Sequence, residues 1–558
     1  MGLNLADIKE IVLKLRTWHW TSFGRVYTTQ IRRREQSRHN MEFSLMTYNI
    51  LSQDLITGHP YLYDHCSENA LKWPQRGERI IRELREAYPD FICLQEMHNV
   101  HYEQLYRPVL ESIGYSGVYK KRTGEKCDGC ALFYKRSTFK LEKSVEIEFN
   151  QQETAKFLNR DNVALIGAFK PTDIKYGDDW QLIIATTHLL FNPRRGDIKL
   201  AQLRMLLAEL DKLKKKDFSN KLTFCLLCGD MNAEPQSPLI RFIRDGKLDT
   251  NGLRYGDLSG QDDGIGRGKH FSIADLNLKG INLETKFTEF DSETAKEKSD
   301  DVKSFTDSFI GLSKVSHNFN FRSVYPYRDF EGRKFVSTYH SQAASLVDYI
   351  FYTSCDRFQL LGYRKLLTND QMSAIGCLPN EYLGSDHLSL NARFAIHWSD
   401  YTTRGGLAFL SFMHMGTAIR CFLDAEFLRV KVFNIECAND KTFHHIYAMY
   451  SILNALLLMQ SAIYLYVYPL TRLMIGSIIV YLGFFLSERF HFNSMHTHGS
   501  SLFPFVVNGI ILVWVVFFHY IWKPWRRNDN QLDLEKEVLL KYGLPIIKPG
   551  YKSSRKDE

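Results

Sequence analysis

Asp230 ends the apolar run "FCLLCGD" (224–230), and Asn232 follows two residues later. A carboxylate at the end of a core strand is costly to bury unless something there uses its charge. The pattern recurs along the chain. Asn49 closes "LMTYN", Glu96 closes "FICLQE" and His188 closes "IIATTH". Asp386 and His387 open "DHLSL", and Asp348 sits within "VDYIF". One strand-end acid is usually a cap or turn residue. Several, delivered by different strands, imply one shared rim where the strand ends meet.

These residue types fit metal-assisted cleavage of a phosphate ester. Magnesium is a hard ion that takes oxygen ligands and keeps several waters, so one or two carboxylates suffice to hold it. Such an ion offsets the charge that builds on phosphoryl oxygens. An aspartate can take a proton from water while an asparagine holds that water in line. A histidine bonded to a carboxylate can stay cationic and donate to the phosphate. No Gly-rich phosphate loop of the Walker type is present, which argues against kinase or ATPase chemistry.

The elements that must position these groups are legible over residues 42–397. Strand-like runs are "FSLMTYNI" (43–50), "FICLQE" (91–96), "VALIGAF" (163–169), "LIIATTHLL" (182–190), "FCLLCGD" (224–230), "VDYIFY" (347–352) and "HLSLNARF" (387–394). Amphipathic helical runs lie between them, at 75–88 with the stripe Ile80, Ile81 and Leu84, and at 200–216. Buried strands interleaved with helices predict a layered α/β domain. Residues 249–320 lose the periodicity, and "TEFDSETAKEKSDDVKS" reads as an irregular insertion.

With 558 residues, the length implies more than one domain. A formal net charge of +8 permits a polyanionic partner such as RNA without requiring one. Ten cysteines include the pairs Cys127/Cys130 and Cys225/Cys228. Residues three apart on a strand face opposite ways, so Cys225 and Cys228 read as small core residues rather than a zinc pair. Cys127 and Cys130 lie in a turn without a partner pair. No signal peptide is evident, so the thiols are expected to be free and the first domain cytosolic. Residues 1–40 read as a basic extension with a short amphipathic helix over 5–16.

From residue 399 the composition changes. Residues 446–470 hold no charge, 501–522 form a second long apolar run, and 473–488 and 405–422 are shorter ones. A bilayer core needs about 20 apolar residues per helix, so an all-α membrane domain of about four spans is expected over 399–558. The basic stretches "KPWRR" (523–527) and "KPGYKSSRK" (548–556) place the tail in the cytosol by charge bias. An even number of spans then leaves the catalytic half in the cytosol as well.

The motifs "TYNILSQDL", "FICLQE", "THLLFNPRRGDIKLAQLRMLLAEL", "CGDMNAEPQSPL", "VDYIFY" and "LPNEYLGSDHLSL" resemble the endonuclease/exonuclease/phosphatase superfamily. Within it they resemble the nocturnin and deadenylase branch. Three further segments, 121–135, 160–165 and 243–253, are similar to the Angel proteins in detail. The resemblance implies a four-layered α/β sandwich over 41–397 with a magnesium site at one sheet edge, manganese being an alternative occupant. It implies Glu96 as the principal metal ligand, with Asn49 beside it and Asp386 near the ion. It further implies that Asp230 orients or deprotonates water, that Asn232 holds water or phosphate, and that His387 stabilises the phosphate with Asp348 as its partner. His188 would touch a phosphate oxygen, with Asn162 and Asn192 in support. Arg194 and Arg195 could grip RNA phosphates. The implied activity is hydrolysis of 2′,3′-cyclic phosphate at RNA ends, with 3′→5′ poly(A) shortening as the alternative.

Residues 405–522, with Gly416, Phe422, Asp424, Phe427 and "LGFFLSE", resemble the small four-span ergosterol-biosynthesis scaffold protein of the endoplasmic reticulum. That resemblance implies a multi-pass protein of that membrane. Its implied partners are the lipid bilayer and sterol-biosynthesis enzymes, with a purely scaffolding role as a further alternative. Arg420 and Glu488 are the intramembrane charges to explain, by function or by snorkelling to the interface.

Overall fold

The computed structural model describes residues 5–30, 40–152, 157–173, 176, 179–271, 314–355, 357–396, 401–424, 426–434, 440–463, 468–496 and 499–517. Most of the 249–320 insertion, the last residues of the 501–522 run and both basic stretches of the tail lie outside the described residues. The chain divides into two compact units, one of residues 1–25 and 41–397 and one dominated by residues 398–558.

Two mixed sheets build the first unit. The seven-stranded sheet runs, in spatial order, Trp18–Trp20, Phe358–Arg364, Leu390–Ile396, Met41–Asn49, Phe91–Gln95, Gly129–Lys135 and Tyr115–Lys121. The six-stranded sheet runs Phe321–Ser323, Asp348–Thr353, Leu222–Asp230, Trp180–His188, Val163–Pro171 and Phe139–Glu148. The sheets meet through aromatic side chains, at the beginnings of the strands that carry Phe91, Phe139, Phe224 and Phe358 and near the end of the one that carries Phe169. Phe91 lies 4.5 Å from Phe139 and 4.9 Å from Phe169, and Phe224 lies 5.2 Å from Phe358, ring centre to ring centre. The helix Trp73–Ala87 packs Ile80 and Leu84 into an apolar cluster with Met46, Tyr48, Ile92 and Leu94, on the opposite face of the first sheet. The helix Gly196–Lys212 buries Leu200, Leu203, Leu206 and Leu210 with residues of the second sheet. This is the expected sandwich of two sheets between helices.

Register carries the apolar strand beginnings into a polar end. His188 pairs with Asp230, Asp230 with Asp348, and Asn49 with Gln95, the residue before Glu96. The central strand ends of both sheets therefore stop at one level.

Residues 1–40 are not a separate extension throughout. The helix Leu5–Leu15 buries Ile8 and Val12 in the main core, and Trp18–Trp20 adds an antiparallel strand to the first sheet. Arg16 is buried, donates to the carbonyls of Ser389 and Lys365, and lies 3.5 Å from Glu83. Covering an open sheet edge removes a row of unpaired backbone groups.

The second unit holds four long apolar helices, Tyr401–Leu423, Lys441–Ile463, Tyr468–Phe490 and Gly499–Val516. Three of them are long and apolar enough to cross a membrane, and the fourth offers a shorter apolar stretch, Leu502–Val516. The run read as short at 473–488 thus extends to full span length. Phe412, Leu423, Leu453, Val480 and Val513 face outward on these helices, as a lipid solvent permits. Polar groups turn inward: Ser411 donates to the Ala455 carbonyl at 2.7 Å, and Trp514 to the Thr403 hydroxyl at 3.0 Å. Arg420 is exposed near the end of its helix, and Glu488 accepts from the Ser494 hydroxyl at the end of its own. Both positions suit charged groups at an interface rather than mid-membrane.

Candidate active site

Glu96, Asp230, Asp348, Asp386 and His387 are all buried at the shared rim. The Asn49 amide links two of the carboxylates, donating to Glu96 at 2.9 Å and to Asp230 at 3.1 Å. The Ser52 amide donates to the other Glu96 oxygen at 2.9 Å. His387 Nδ1 lies 2.7 Å from Asp348, which also accepts from Ser337 at 2.7 Å. That contact leaves His387 Nε2 facing Asp230 and Asp386, each at 3.9 Å. Tyr63 donates to Asp386 at 3.0 Å. His188 lies 3.6 Å from Asp230 and 3.9 Å from Glu96, and its Nδ1 is buried without a hydrogen-bond partner.

Backbone conformation sharpens the rim. Glu96 and Asn232 adopt left-handed φ of 57° and 48°, a conformation that costs non-glycine residues of order 1–3 kcal/mol and gathers at functional sites. The strand therefore does not stay extended past Asp230. The chain turns, and the Asn232 amide donates back to Asp230 at 2.9 Å while its side chain donates to the Leu189 carbonyl at 3.0 Å. Lys199 braces the turn from the buried side of its helix, donating to the Asn232 carbonyl at 2.6 Å and to Gln261 at 2.9 Å. Gly229 is required just before the turn, because a Cβ there would lie 2.0 Å from the Thr187 carbonyl oxygen.

Electrostatics follow from burial. The Glu96 carboxyl is pushed up to about 7 by burial and by Asp386 and Asp128. Asp230 is likewise raised to about 7 by burial and by Asp348. Burial opposes a charge on His387, but Asp348, Asp386 and Asp230 together outweigh it and hold the imidazole well above its ordinary range. His188 is lowered to about 3 by burial and Arg122, so it is neutral at pH 7. The donor set therefore carries more negative charge than its own cations balance. It is built from oxygens, with one imidazole facing Asp230 and Asp348. A hard divalent cation fits it.

The expected supporting residues divide. Asn162 is occupied by protein, donating to the His188 carbonyl at 3.0 Å and accepting from Gln202 at 3.2 Å, so it positions His188. Asn192 folds its own loop by accepting the Arg194 amide at 2.9 Å. Arg195 forms a bidentate pair with the fully buried Asp197, at 2.8 to 3.2 Å, and is committed there. Arg194 is exposed, with Nε 3.4 Å from the Asp263 carbonyl. Sequence reasoning missed Tyr63, Ser52, Ser337 and Lys199, together with Arg76, which braces the carbonyls of Ile50 and Gly384. The one available signal was polar residues at otherwise apolar helix positions, as at Arg76 and Lys199.

Residues 46–387 match the family described as Endonuclease/Exonuclease/phosphatase family, and residues 404–513 match the one described as Erg28 like protein. Protein angel homolog 2 of Danio rerio is 37% identical over 372 residues, which span 64% of this chain and 64% of that protein. The chain thus covers just under two thirds of that relative. Its Homo sapiens counterpart is 38% identical over 391 residues, 65% of this chain and 71% of that protein. Among solved structures, ANGEL2, described as a 2′,3′-cyclic phosphatase and bound to adenosine-2′,3′-vanadate, aligns with a TM-score of 0.57 at 36% identity. That alignment covers 69% of this chain and 99% of the other.

Proposed function

The chain belongs to the endonuclease/exonuclease/phosphatase family, and we propose that it is a membrane-associated, magnesium-dependent RNA phosphoesterase that hydrolyses 2′,3′-cyclic phosphate at RNA 3′ ends. The observation that carries this reading is the convergence of Asn49, Glu96, Asp230, Asn232, Asp348, Asp386 and His387 on one rim, with the unpartnered His188 beside them. Similarity to a solved 2′,3′-cyclic phosphatase supports the choice of substrate.

Glu96 and Asp386 would hold the cation, with Asn49 at its side and manganese as the alternative occupant. Such an ion neutralises charge on the phosphoryl oxygens. Asp230, raised to about 7, is matched to accept a proton from water near neutral pH. Asn232, fixed by its turn, holds that water or a phosphate oxygen. His387, cationic and tied at Nδ1 to Asp348, donates from Nε2 to the phosphate. Neutral His188 offers a single N–H to an oxygen. The membrane unit would anchor this site at the endoplasmic reticulum with the catalytic unit in the cytosol, and would bring it beside sterol-biosynthesis enzymes.

Full-length protein in detergent, offered a cyclic-phosphate RNA end, poly(A) and sphingomyelin, tests the reading. Turnover of the cyclic end supports it. Turnover of poly(A) alone would replace it with an exoribonuclease, and turnover of sphingomyelin alone with a lipid phosphodiesterase. Co-purification of sterol C4-demethylation enzymes with residues 399–558 tests the partner, and its absence in span-preserving detergent rejects it.

A further inference from the structure

Of the four cysteines in the two CxxC pairs, only Cys127 lies outside the core. Its thiol is exposed, whereas Cys130 is buried on the strand Gly129–Lys135. Around Cys127 the fold gathers Asp54, from the first turn of the helix Gln53–Gly58, and His98. One ligand atom from each of the three lies within 4.8 Å of the others. We propose that Asp54, His98 and Cys127 bind a zinc-type ion at the mouth of the catalytic rim, separate from the oxygen-rich site.

The donor set selects the metal. Thiolate, imidazole and carboxylate suit zinc, whereas magnesium takes oxygens. The spacing is also close to what zinc needs. Metal–ligand bonds of about 2.0–2.3 Å in a tetrahedron separate the ligand atoms by roughly 3.3–3.6 Å. His98 Nε2 and Asp54 Oδ2 are already 3.3 Å apart. Only the Cys127 sulfur must close in, and a rotamer change of an exposed side chain allows that. Three protein ligands leave the fourth position to water.

Two rearrangements accompany binding. The thiol, which now donates to the Glu125 carbonyl at 3.7 Å, gives up that contact and releases its proton to solvent. His98 Nδ1 now accepts the Val100 amide at 3.2 Å, so presenting a lone pair at Nε2 moves the ring proton to Nδ1 and gives up that long contact. The loop itself is held in place, because the Asn99 amide donates to the Cys127 carbonyl at 2.8 Å.

Each ligand comes from a segment that also builds the catalytic rim. Ser52, two residues before Asp54, donates to Glu96. His98 follows Glu96 by two residues. Cys127 precedes Asp128, whose carboxylate raises the Glu96 carboxyl. An ion at this point is tied to the catalytic rim through one or two residues of chain on each side.

The test titrates Co²⁺ and then Zn²⁺ into the full-length protein in detergent, under saturating Mg²⁺ and a non-chelating reductant. The expected result is a thiolate-to-cobalt charge-transfer band removed by one equivalent of Zn²⁺. Cys127→Ser should abolish the band, and His98→Gln should weaken Zn²⁺ at least tenfold in competition with a chromophoric chelator. A wild-type protein without the band, or a Cys127→Ser protein that keeps it undiminished, overturns the proposal. Metal binding is read directly, so the outcome is independent of which phosphate ester the enzyme cleaves.

Discussion

Replacing Asp348 with asparagine removes a charge from beneath His387 while keeping the side chain's shape. The pair is buried and 2.7 Å apart, and Asp348 is further held by Ser337. A hydrogen bond to a charged group contributes about 1.5–3 kcal/mol net. At 1.36 kcal/mol per pKa unit, that lowers His387 by roughly 1–2 units. The direction is fixed: the carboxylate favours the imidazolium, and burial, which disfavours it, then goes unopposed by this partner. If His387 works as a cation, the alkaline limb of kcat/KM against pH shifts to lower pH by that amount. Wild type and variant are compared at one saturating Mg²⁺ concentration, so the ion's own field is common to both. A uniformly slower variant whose alkaline limb coincides with wild type would refute the cationic role. Stability carries the same sign. The folded His387 lies above its ordinary value of 6.5, so its contribution is complete below about that pH and is lost as pH rises through the folded value. The Tm gap between the two proteins should therefore be widest at acid pH and narrow on the alkaline side.

Gly229→Ala puts a methyl group 2.0 Å from the Thr187 carbonyl at a φ of 126°; loss of at least 3 kcal/mol of stability, on the order of other backbone clashes, should appear as a collapse of Tm together with activity. Lys199→Met leaves the buried Asn232 carbonyl without its donor, which costs about 1–3 kcal/mol; kcat should fall roughly tenfold or more with KM little changed, and a normal kcat would remove Lys199 from the site's support. Arg16→Met strips the buried Glu83 of its cation, and breaking such a pair costs about 3–5 kcal/mol. Chemical denaturation should show that loss in the catalytic unit, whereas an unchanged midpoint would mean that residues 5–20 do not stabilise it.

The central strands and the rim residues were legible because each strand is an apolar run ending abruptly in Asn, Glu, His or Asp. That signal needs no long-range information. Other elements hid their pairing. Phe139–Glu148 alternates charged and apolar residues as an edge strand does, and Tyr115–Lys121 carries its partners only through a turn rich in charge. The strand Trp18–Trp20 is three residues long, and its partner lies more than 300 residues away. Arg16 reads as part of a basic tail until its carbonyl partners are known. Arg194 and Arg195 looked like an RNA grip, yet Asp197 takes up Arg195. Asn232 lies beside Asp230, as the spacing requires, but its left-handed turn, and the lysine behind it, depend on a helix packed from elsewhere. In the second unit, composition located the apolar stretches but not their ends: the charge-free run 446–470 passes from the helix Lys441–Ile463 into Tyr468–Phe490, and the 405–422 run read as short belongs to a helix of span length.

The most direct measurement is the Mg²⁺-dependent hydrolysis of a 2′,3′-cyclic phosphate at an RNA 3′ end by the full-length protein, beside Glu96→Ala. The account predicts turnover that disappears on chelating the metal and falls by at least a thousandfold in the variant, about 4 kcal/mol of barrier. Turnover that survives chelation, or a Glu96→Ala protein as active as wild type, would contradict it.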